Sequence, residues 1–153
     1  MNTNKNLTIQ ETFNLAVKNH QESKPDIAQE LYNQVLKIDP NHLGTLNNLG
    51  ALFNNLKENQ KAKECYEKAI EINPTYVHAH NNLGVVFKGL GENQKAKDYY
   101  EKAIEINPNY ADAHNNLGII FKELGEFQKA KDYYEKAIEI NPNHVHAHNN
   151  LST

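Results

Sequence analysis

Apolar residues recur at intervals of three and four along most of the chain, and this pattern itself returns every 34 residues. The stretch from Ala79 to Pro108 reappears, with few changes, as the stretch from Ala113 to Pro142. Such intervals place an apolar stripe on one face of a helix. A fixed period of this length is typical of stacked helical repeats. Four prolines mark the period: Pro40, Pro74, Pro108 and Pro142.

Each period is predicted to hold two helices joined by a short turn. Gly91 and Gly125 lie between the two apolar stripes, where a left-handed turn residue is expected. The sequence therefore predicts an all-α fold, a right-handed α-solenoid of 34-residue helix-turn-helix units. We expect a disordered leader at 1–7 and a single domain at 8–153. Its units are placed at about 8–40, 43–74, 77–108 and 111–142, with an incomplete final helix at 145–153.

A glycine lies inside the first helix of the later units, at Gly50, Gly84 and Gly118. Glycine inside a helix costs about 1 kcal/mol relative to alanine. Its regular use predicts that another helix passes too close for a Cβ atom, and we expect that helix to belong to the next hairpin.

The repeated residues resemble those of the tetratricopeptide repeat, whose motif combines Leu-Gly, an aromatic residue, spaced alanines and a closing proline. The resemblance covers residues 8–151 and implies a solenoid that binds other proteins and has no catalytic activity. The residues that carry the resemblance in the third repeat, at 77–108, are Leu83, Gly84, Phe87, Ala96, Tyr100, Ala103 and Pro108.

Composition narrows the class of partner. The 153 residues carry a net charge of -3, and all 16 basic residues are lysines. Without arginine, which forms bidentate contacts with phosphate, we expect a protein or peptide partner and no nucleic acid. No apolar run reaches the roughly 18 residues of a membrane span, so we expect no membrane insertion. A polar start and a single cysteine, Cys65, favour a cytoplasmic location.

Paired asparagines lie in the first turns of the first helix in every unit after the first, although asparagine is a poor helix former. They fall opposite the apolar stripe, and stacking of the units should align them into a ladder on the concave surface. Because a primary amide both donates and accepts hydrogen bonds, such a ladder can bind an extended peptide backbone. The alternative is that these amides bond neighbouring helices or reflect duplication of one ancestral unit. The pairs are Asn47 and Asn48, Asn81 and Asn82, Asn115 and Asn116, and Asn149 and Asn150.

The ladder resembles that of the protein O-linked N-acetylglucosamine transferases, in which the asparagine before the leucine grips substrate peptides. The resemblance implies this role for Asn48, Asn82, Asn116 and Asn150. Helical spacing places four further residues on the same surface: Val85, Lys88, Ile119 and Lys122.

Other chemistry finds little support in the sequence. It holds no nucleophile motif, phosphate loop or paired carboxylates in an apolar setting, so we expect no enzyme and no cofactor. His144, His146 and His148 lack the acidic or thiol ligands that would complete a metal site. The carboxylate clamp of some repeat proteins of this family needs cations that are missing here.

The function that we expect is a non-catalytic protein-interaction scaffold that binds a peptide segment through the asparagine ladder. One alternative is a self-assembling structural scaffold, a homo-oligomer formed through the incomplete C-terminal unit, head to tail or by exchange of helices. Another is the substrate-recruiting arm of a larger enzyme.

Overall fold

A computed structural model describes residues 6–153, and the regular elements in that part of the chain are all α-helices. The predicted all-α fold of helix-turn-helix units is confirmed. The predicted leader lies mostly outside the described residues, and Asn6 and Leu7 precede the first helix. The helices are α1 (Ile9–Gln21), α2 (Pro25–Ile38), α3 (Leu43–Asn55), α4 (Asn59–Ile72), α5 (Val77–Gly89), α6 (Asn93–Ile106), α7 (Ala111–Glu123), α8 (Phe127–Ile140) and α9 (Val145–Leu151).

The helices form two compact units, each larger than one 34-residue repeat, and the division falls after Pro74. From here on, the first unit means the residues up to Pro74 and the second unit those that follow. In the first unit α1 pairs with α2 and α3 pairs with α4. In the second unit α5 pairs with α6 and α7 with α8, while α9 packs against α7 and α8. That the whole chain is one domain stays a prediction. None of the helices described combines the length and the apolar content needed to cross a bilayer.

The turns inside the hairpins contain one residue in the left-handed region. Gly91 and Gly125 have φ angles of 77° and 76°, as the sequence predicts. Ser23 and Lys57 occupy the same place in the first unit, with φ angles of 57° and 63°. Side chains other than glycine are uncommon in this region. The turns of the first unit therefore keep the left-handed conformation although they have serine and lysine in place of glycine.

A tyrosine from the second helix explains the glycine in the first. A Cβ atom on Gly84 would lie 2.4 Å from Cε1 of Tyr100, and one on Gly118 would lie 2.4 Å from Cε1 of Tyr134. The close approach was predicted, but its source was not. The crowding group is an aromatic ring of the same hairpin, where the sequence suggested a helix of the next one.

Candidate functional site

The first helices of the second unit lie beside one another, α5 against α7 and α7 against α9. Their asparagine pairs divide into two environments. Asn81 and Asn115 are buried, with 4% and 5% of their surface exposed, whereas Asn82 and Asn116 are half-buried. The structure thus differs from the expectation that both members of each pair lie opposite the apolar stripe. In α9, which is shorter, Asn149 is exposed and Asn150 is half-buried.

Hydrogen bonds join these side chains from one repeat to the next. Nδ2 of Asn116 donates to Oδ1 of Asn81 at 3.0 Å, and Nδ2 of Asn150 donates to Oδ1 of Asn115 at 3.0 Å. Nδ2 of Asn81 lies 3.5 Å from Oδ1 of Asn82, and Nδ2 of Asn115 lies 3.5 Å from Oδ1 of Asn116. The result is a continuous row of amides, here called the amide row, which runs through Asn150, Asn115, Asn116, Asn81 and Asn82.

Asn116, a half-buried member of the amide row, keeps hydrogen-bonding capacity for a ligand. A primary amide carries two N–H donors and two acceptor lone pairs on its oxygen. Asn116 donates once to Asn81 and accepts once from Asn115. The second N–H and the second lone pair of Asn116 can therefore engage a ligand without breaking either bond.

The asparagines of the first unit have different surroundings. Asn47 and Asn48 are both half-buried, and Asn48 is hydrogen-bonded to the hydroxyl of Tyr32 on α2. Burial raises the pKa of Tyr32 to about 12, and the bond from Asn48 opposes that rise. Nδ1 of His20 lies 3.2 Å from the same hydroxyl. Asn48 thus takes part in a polar cluster within its own unit.

The remaining predicted site residues lie further along α5 and α7. Val85 is 36% exposed and Ile119 is half-buried, so both present apolar surface beside the amide row. Nζ of Lys88 forms an ion pair with Oε1 of Glu123 at 2.7 Å. Nζ of Lys122 instead contacts the hydroxyl of Thr153 at 2.6 Å. The two lysines are therefore not equivalent, because only Lys88 has its charge balanced by a carboxylate.

A second set of contacts between repeats lies at the beginning of the first helices. Nδ1 of His78 is 2.9 Å from the hydroxyl of Tyr110. Nε2 of His144 is 2.7 Å from Oδ1 of Asp112, while its Nδ1 accepts the backbone N–H of Ala147 at 3.1 Å. Since Nδ1 of His144 is an acceptor, Nε2 carries the N–H, which donates a hydrogen bond to the carboxylate of Asp112.

The sequence analysis did not predict the ion pair of Lys88 with Glu123 or the contact of His144 with Asp112. A signal was present, because Lys88 and Glu123 are separated by the same 35 residues as Asn81 and Asn116. The separation of 32 residues likewise recurs in the contacts of His78 and His144. Regular offsets near the repeat length identify contacts between neighbouring repeats.

The side chains of His114 and His148 bond to the backbone, and the thiol of Cys65 is partly buried. Nε2 of His114 donates to the carbonyl of Pro108 at 2.8 Å, and Nε2 of His148 donates to the carbonyl of Pro142 at 2.8 Å. Burial, with a smaller effect from Glu64, raises the pKa of the Cys65 thiol to about 11. Among residues 6–153, no group of three histidine, cysteine or acidic side chains is arranged to hold a metal ion.

Comparison with known proteins identifies the repeat. The family model described as the tetratricopeptide repeat matches residues 45–76, 77–110 and 111–144. No curated protein sequence matches the chain at a significant level.

Solved structures share the fold. A crystal structure of MamA has a TM-score of 0.72 and 33% sequence identity, with 89% of this chain and 80% of that chain covered. A thermophilic TPR protein of Thermus thermophilus has a TM-score of 0.84 and 22% identity, covering 95% of this chain and 80% of that one. PilF of Pseudomonas aeruginosa has a TM-score of 0.79 and 23% identity, covering 92% and 64%.

The last two likenesses concern the fold alone. The three matched repeats span more than half of the sequence, and they contain all of α4–α8 and most of α3. The chain belongs to the tetratricopeptide repeat family.

Proposed function

We propose that this chain is a protein-interaction scaffold that holds an extended peptide segment of its partner along the amide row. The observation that carries the proposal is the remaining hydrogen-bonding capacity of Asn116, which lies in a row of amides that repeats from one first helix to the next. A peptide backbone offers N–H and C=O groups at regular intervals, so amides in a row can pair with it whatever its side chains are.

The neighbouring side chains supply the rest of the site. Val85 and Ile119 give apolar contact between the asparagines and the lysines. Lys122 has a hydroxyl as its partner, so its charge is available to an acidic side chain. Lys88 already pairs with Glu123. A partner carboxylate is therefore expected to lie nearer to Lys122 than to Lys88.

The scaffold role agrees with the family. Tetratricopeptide repeats generally act as protein-interaction scaffolds without catalytic activity, and we assign this chain the same role. As the substrate-recruiting arm of a larger enzyme it would use the same surface, so the two roles make the same prediction about peptide binding.

Head-to-tail assembly of the chain is less well supported. Ala113 and Ile120 of α7 are buried, with 0% and 1% of their surface exposed. Three repeats earlier, α1 carries Glu11 and Lys18 at the matching positions, and both are exposed. Exposed charged side chains at positions that are apolar and buried in α7 disfavour stacking of another copy on α1.

The proposal can be tested without knowing the natural partner. A random peptide library displayed on phage is selected on the wild-type chain, and several unrelated binders are then titrated by isothermal calorimetry. The double substitution Asn82→Ala and Asn116→Ala should weaken all of them by about thirtyfold, because each of the two lost hydrogen bonds contributes on the order of 1 kcal/mol. Circular dichroism checks that the variant remains helical.

Asn109→Ala is the matched control, since it removes an exposed amide from the turn after α6. This variant should bind like the wild type. Equal affinities for the double variant and the wild type would refute peptide binding by the amide row. A loss confined to one peptide sequence would refute recognition of the backbone.

A further inference from the structure

A cavity of about 470 Å³ lies at the end of the second unit, where α9 packs against α7 and α8. Apolar and aromatic side chains form one part of its wall, and lysines, an amide and a hydroxyl form the other. The lining residues are Phe127, Ala130, Tyr134 and Leu151, and Lys122, Lys131, Asn150 and Thr153. This cavity is here called the α8–α9 cavity.

The preceding repeat shows which contacts cover the matching place. There α7 has 13 residues, whereas α9 has seven and matches only residues 111–117 of α7. The later turns of α7 place the ring of Phe121 against Lys97 of α6, with Nζ 5.4 Å from the ring centroid. They also place Oε1 of Glu123 2.7 Å from Nζ of Lys88 on α5. An aromatic ring and a carboxylate two residues later thus cover α5 and α6.

The matching residues at the α8–α9 cavity are less covered. The side chain of Lys131 is 56% exposed, whereas that of Lys97, which it matches, is 29% exposed. Each of these lysines also pairs at 3.7 Å with a glutamate of its own helix, so that ion pair does not explain the difference. Leu151 is half-buried, whereas the matching Leu117 is fully buried. The cavity is therefore an open counterpart of the junction between α6 and α7.

The polar groups of the α8–α9 cavity favour an acidic occupant. Of the residues that the structure describes, Lys122 and Lys131 line it and no carboxylate does. Nζ of Lys122 contacts the hydroxyl of Thr153, although the matching Lys88 pairs with a carboxylate. Tyr134 is 2% exposed, and its buried hydroxyl has no hydrogen-bond partner among residues 6–153. Two cations and an unpaired donor complement a carboxylate.

A second copy of this chain is a poor match for the cavity. To extend the stack of repeats, α1 would have to cover it, but α1 has Asn19 and Gln21 where α7 has Phe121 and Glu123. A symmetric contact between two such cavities would instead bring the charges of two Lys122 side chains together. The chemistry of the cavity therefore fits a different protein.

We propose that the α8–α9 cavity binds an acidic amphipathic helix of a partner protein. Its aromatic side chain lies against Lys131, and a carboxylate two residues later pairs with Lys122. The occupant is inferred from Phe121 and Glu123, which make the matching contacts one repeat earlier. Lys122 borders both surfaces, but the inference makes no use of the hydrogen-bonding capacity of the amide row and does not rest on the proposed function.

The probe is a synthetic peptide of about 16 residues, which is long enough for an alanine-rich helix to form in water. It begins with Ile-Phe-Ala-Glu, so that its ring and its carboxylate have the spacing of residues 121 and 123, and continues with alanine-rich turns. Titration of the full chain, followed by ¹H–¹⁵N NMR, should give saturable shifts around Lys131 and Leu151. A probe with alanine in place of phenylalanine should require at least about tenfold higher concentrations, because the ring is its largest apolar group.

An exchange of charges tests the expected ion pair. Lys122→Glu should weaken binding of the probe by about fivefold, because an attraction between partly exposed charges becomes a repulsion. A probe with lysine in place of glutamate should bind this variant about as well as the original probe binds the wild type. Lys102→Glu is the matched control, since Lys102 of α6 does not line the cavity and pairs with Glu105. It should bind the original probe like the wild type.

The proposal is overturned if the wild type shows no saturable shifts around Lys131, or if Lys122→Glu binds the original probe equally well. Sedimentation at several concentrations tests a second copy as occupant. Self-association that the probe displaces would overturn the assignment to a different protein. The double variant Asn82→Ala and Asn116→Ala should bind the probe like the wild type, so a failure of the amide row and a failure of the α8–α9 cavity give different results.

Discussion

The ring of Tyr100 occupies the space that a side chain on Gly84 would need, with Cε1 only 2.4 Å from the ideal Cβ position. Gly50 and Tyr66 show the same relationship in the first unit at 2.6 Å, and Gly118 and Tyr134 show it in the fourth repeat at 2.4 Å. Glycine and tyrosine therefore form a pair in three hairpins, while the first hairpin has Ala16 and Tyr32 at the matching positions. The glycine is needed for packing, because its position inside a helix offers no conformational reason for it.

The first prediction is that Gly84→Ala destabilises the chain. The added methyl group must displace a ring that is 1% exposed, and overpacking of this kind costs about 1–3 kcal/mol. This cost is offset in part by the higher helix propensity of alanine, which is worth about 1 kcal/mol. The two effects together leave a net loss of up to about 2 kcal/mol in the free energy of unfolding, measured by urea denaturation.

Gly89→Ala is the matched control within the same helix, because no atom lies within 4 Å of the added Cβ. This variant should be as stable as the wild type or more stable by up to about 1 kcal/mol. If Gly84→Ala were equally harmless, the pairing of glycine with tyrosine would have no energetic meaning.

The second prediction concerns the hydrogen bond between Asn81 and Asn116. Asn116→Ala leaves the buried oxygen of Asn81 without its donor from α7, which should cost about 1–3 kcal/mol. Replacing both residues with alanine should cost less than the two single losses added together, because the buried oxygen of Asn81 is then no longer left without its donor. A double-mutant cycle on the free energy of unfolding measures this coupling.

Asn149→Ala provides the reference for the cycle, since Asn149 is exposed in α9. Its substitution should change the stability by less than about 0.5 kcal/mol. Strictly additive effects of Asn81→Ala and Asn116→Ala would show that the bond between them contributes nothing.

The third prediction is a loss of stability at high pH to which Tyr110 contributes. Burial, assisted by the charges of Asp112 and Tyr76, raises the pKa of Tyr110 from 10.0 to about 12. A group whose pKa is higher in the folded state favours folding below its unfolded pKa. That contribution is lost as the pH rises from about 10 to about 12.

Tyr110→Phe removes the ionisable hydroxyl and keeps the ring. Urea denaturation at pH 9, 10 and 11 should give a shallower decline for this variant than for the wild type. The variant should be less stable at pH 9, where it lacks the contact between the hydroxyl and His78. Parallel declines would contradict the raised pKa of Tyr110.

The fourth prediction is that Cys65 reacts slowly with alkylating reagents. With a pKa raised from 9.0 to about 11, the thiolate fraction at pH 8 falls by about a hundredfold, and the thiolate is the nucleophile. Iodoacetamide should therefore modify the folded chain about a hundredfold more slowly than the same chain in urea, as followed by mass spectrometry. Similar rates in the two states would show that the thiol is not shielded.

The 34-residue period was sufficient to predict the hairpins, since it indicates both helices and the turns between them. The source of crowding at Gly84 could not be read in the same way. The glycine and Tyr100 recur with a constant separation in three hairpins, yet a constant separation does not show whether the two residues touch. Contacts inside a hairpin and contacts between hairpins produce the same periodic sequence.

The asparagine pairs show a similar limit. Adjacent residues on a helix point about 100° apart, so only one member of a pair can face the neighbouring first helix. Both members are asparagine, and nothing in the sequence distinguishes Asn81, which is buried, from Asn82, which is half-buried.

The amide row has a direction. Each of its hydrogen bonds points the same way, from Asn150 through Asn115 and Asn116 to Asn81 and Asn82. Turning over the amide of Asn116 alone would bring its oxygen against that of Asn81 and its NH₂ group against that of Asn115. The five side chains therefore share one orientation, and the smallest reversal that the row allows is a concerted one.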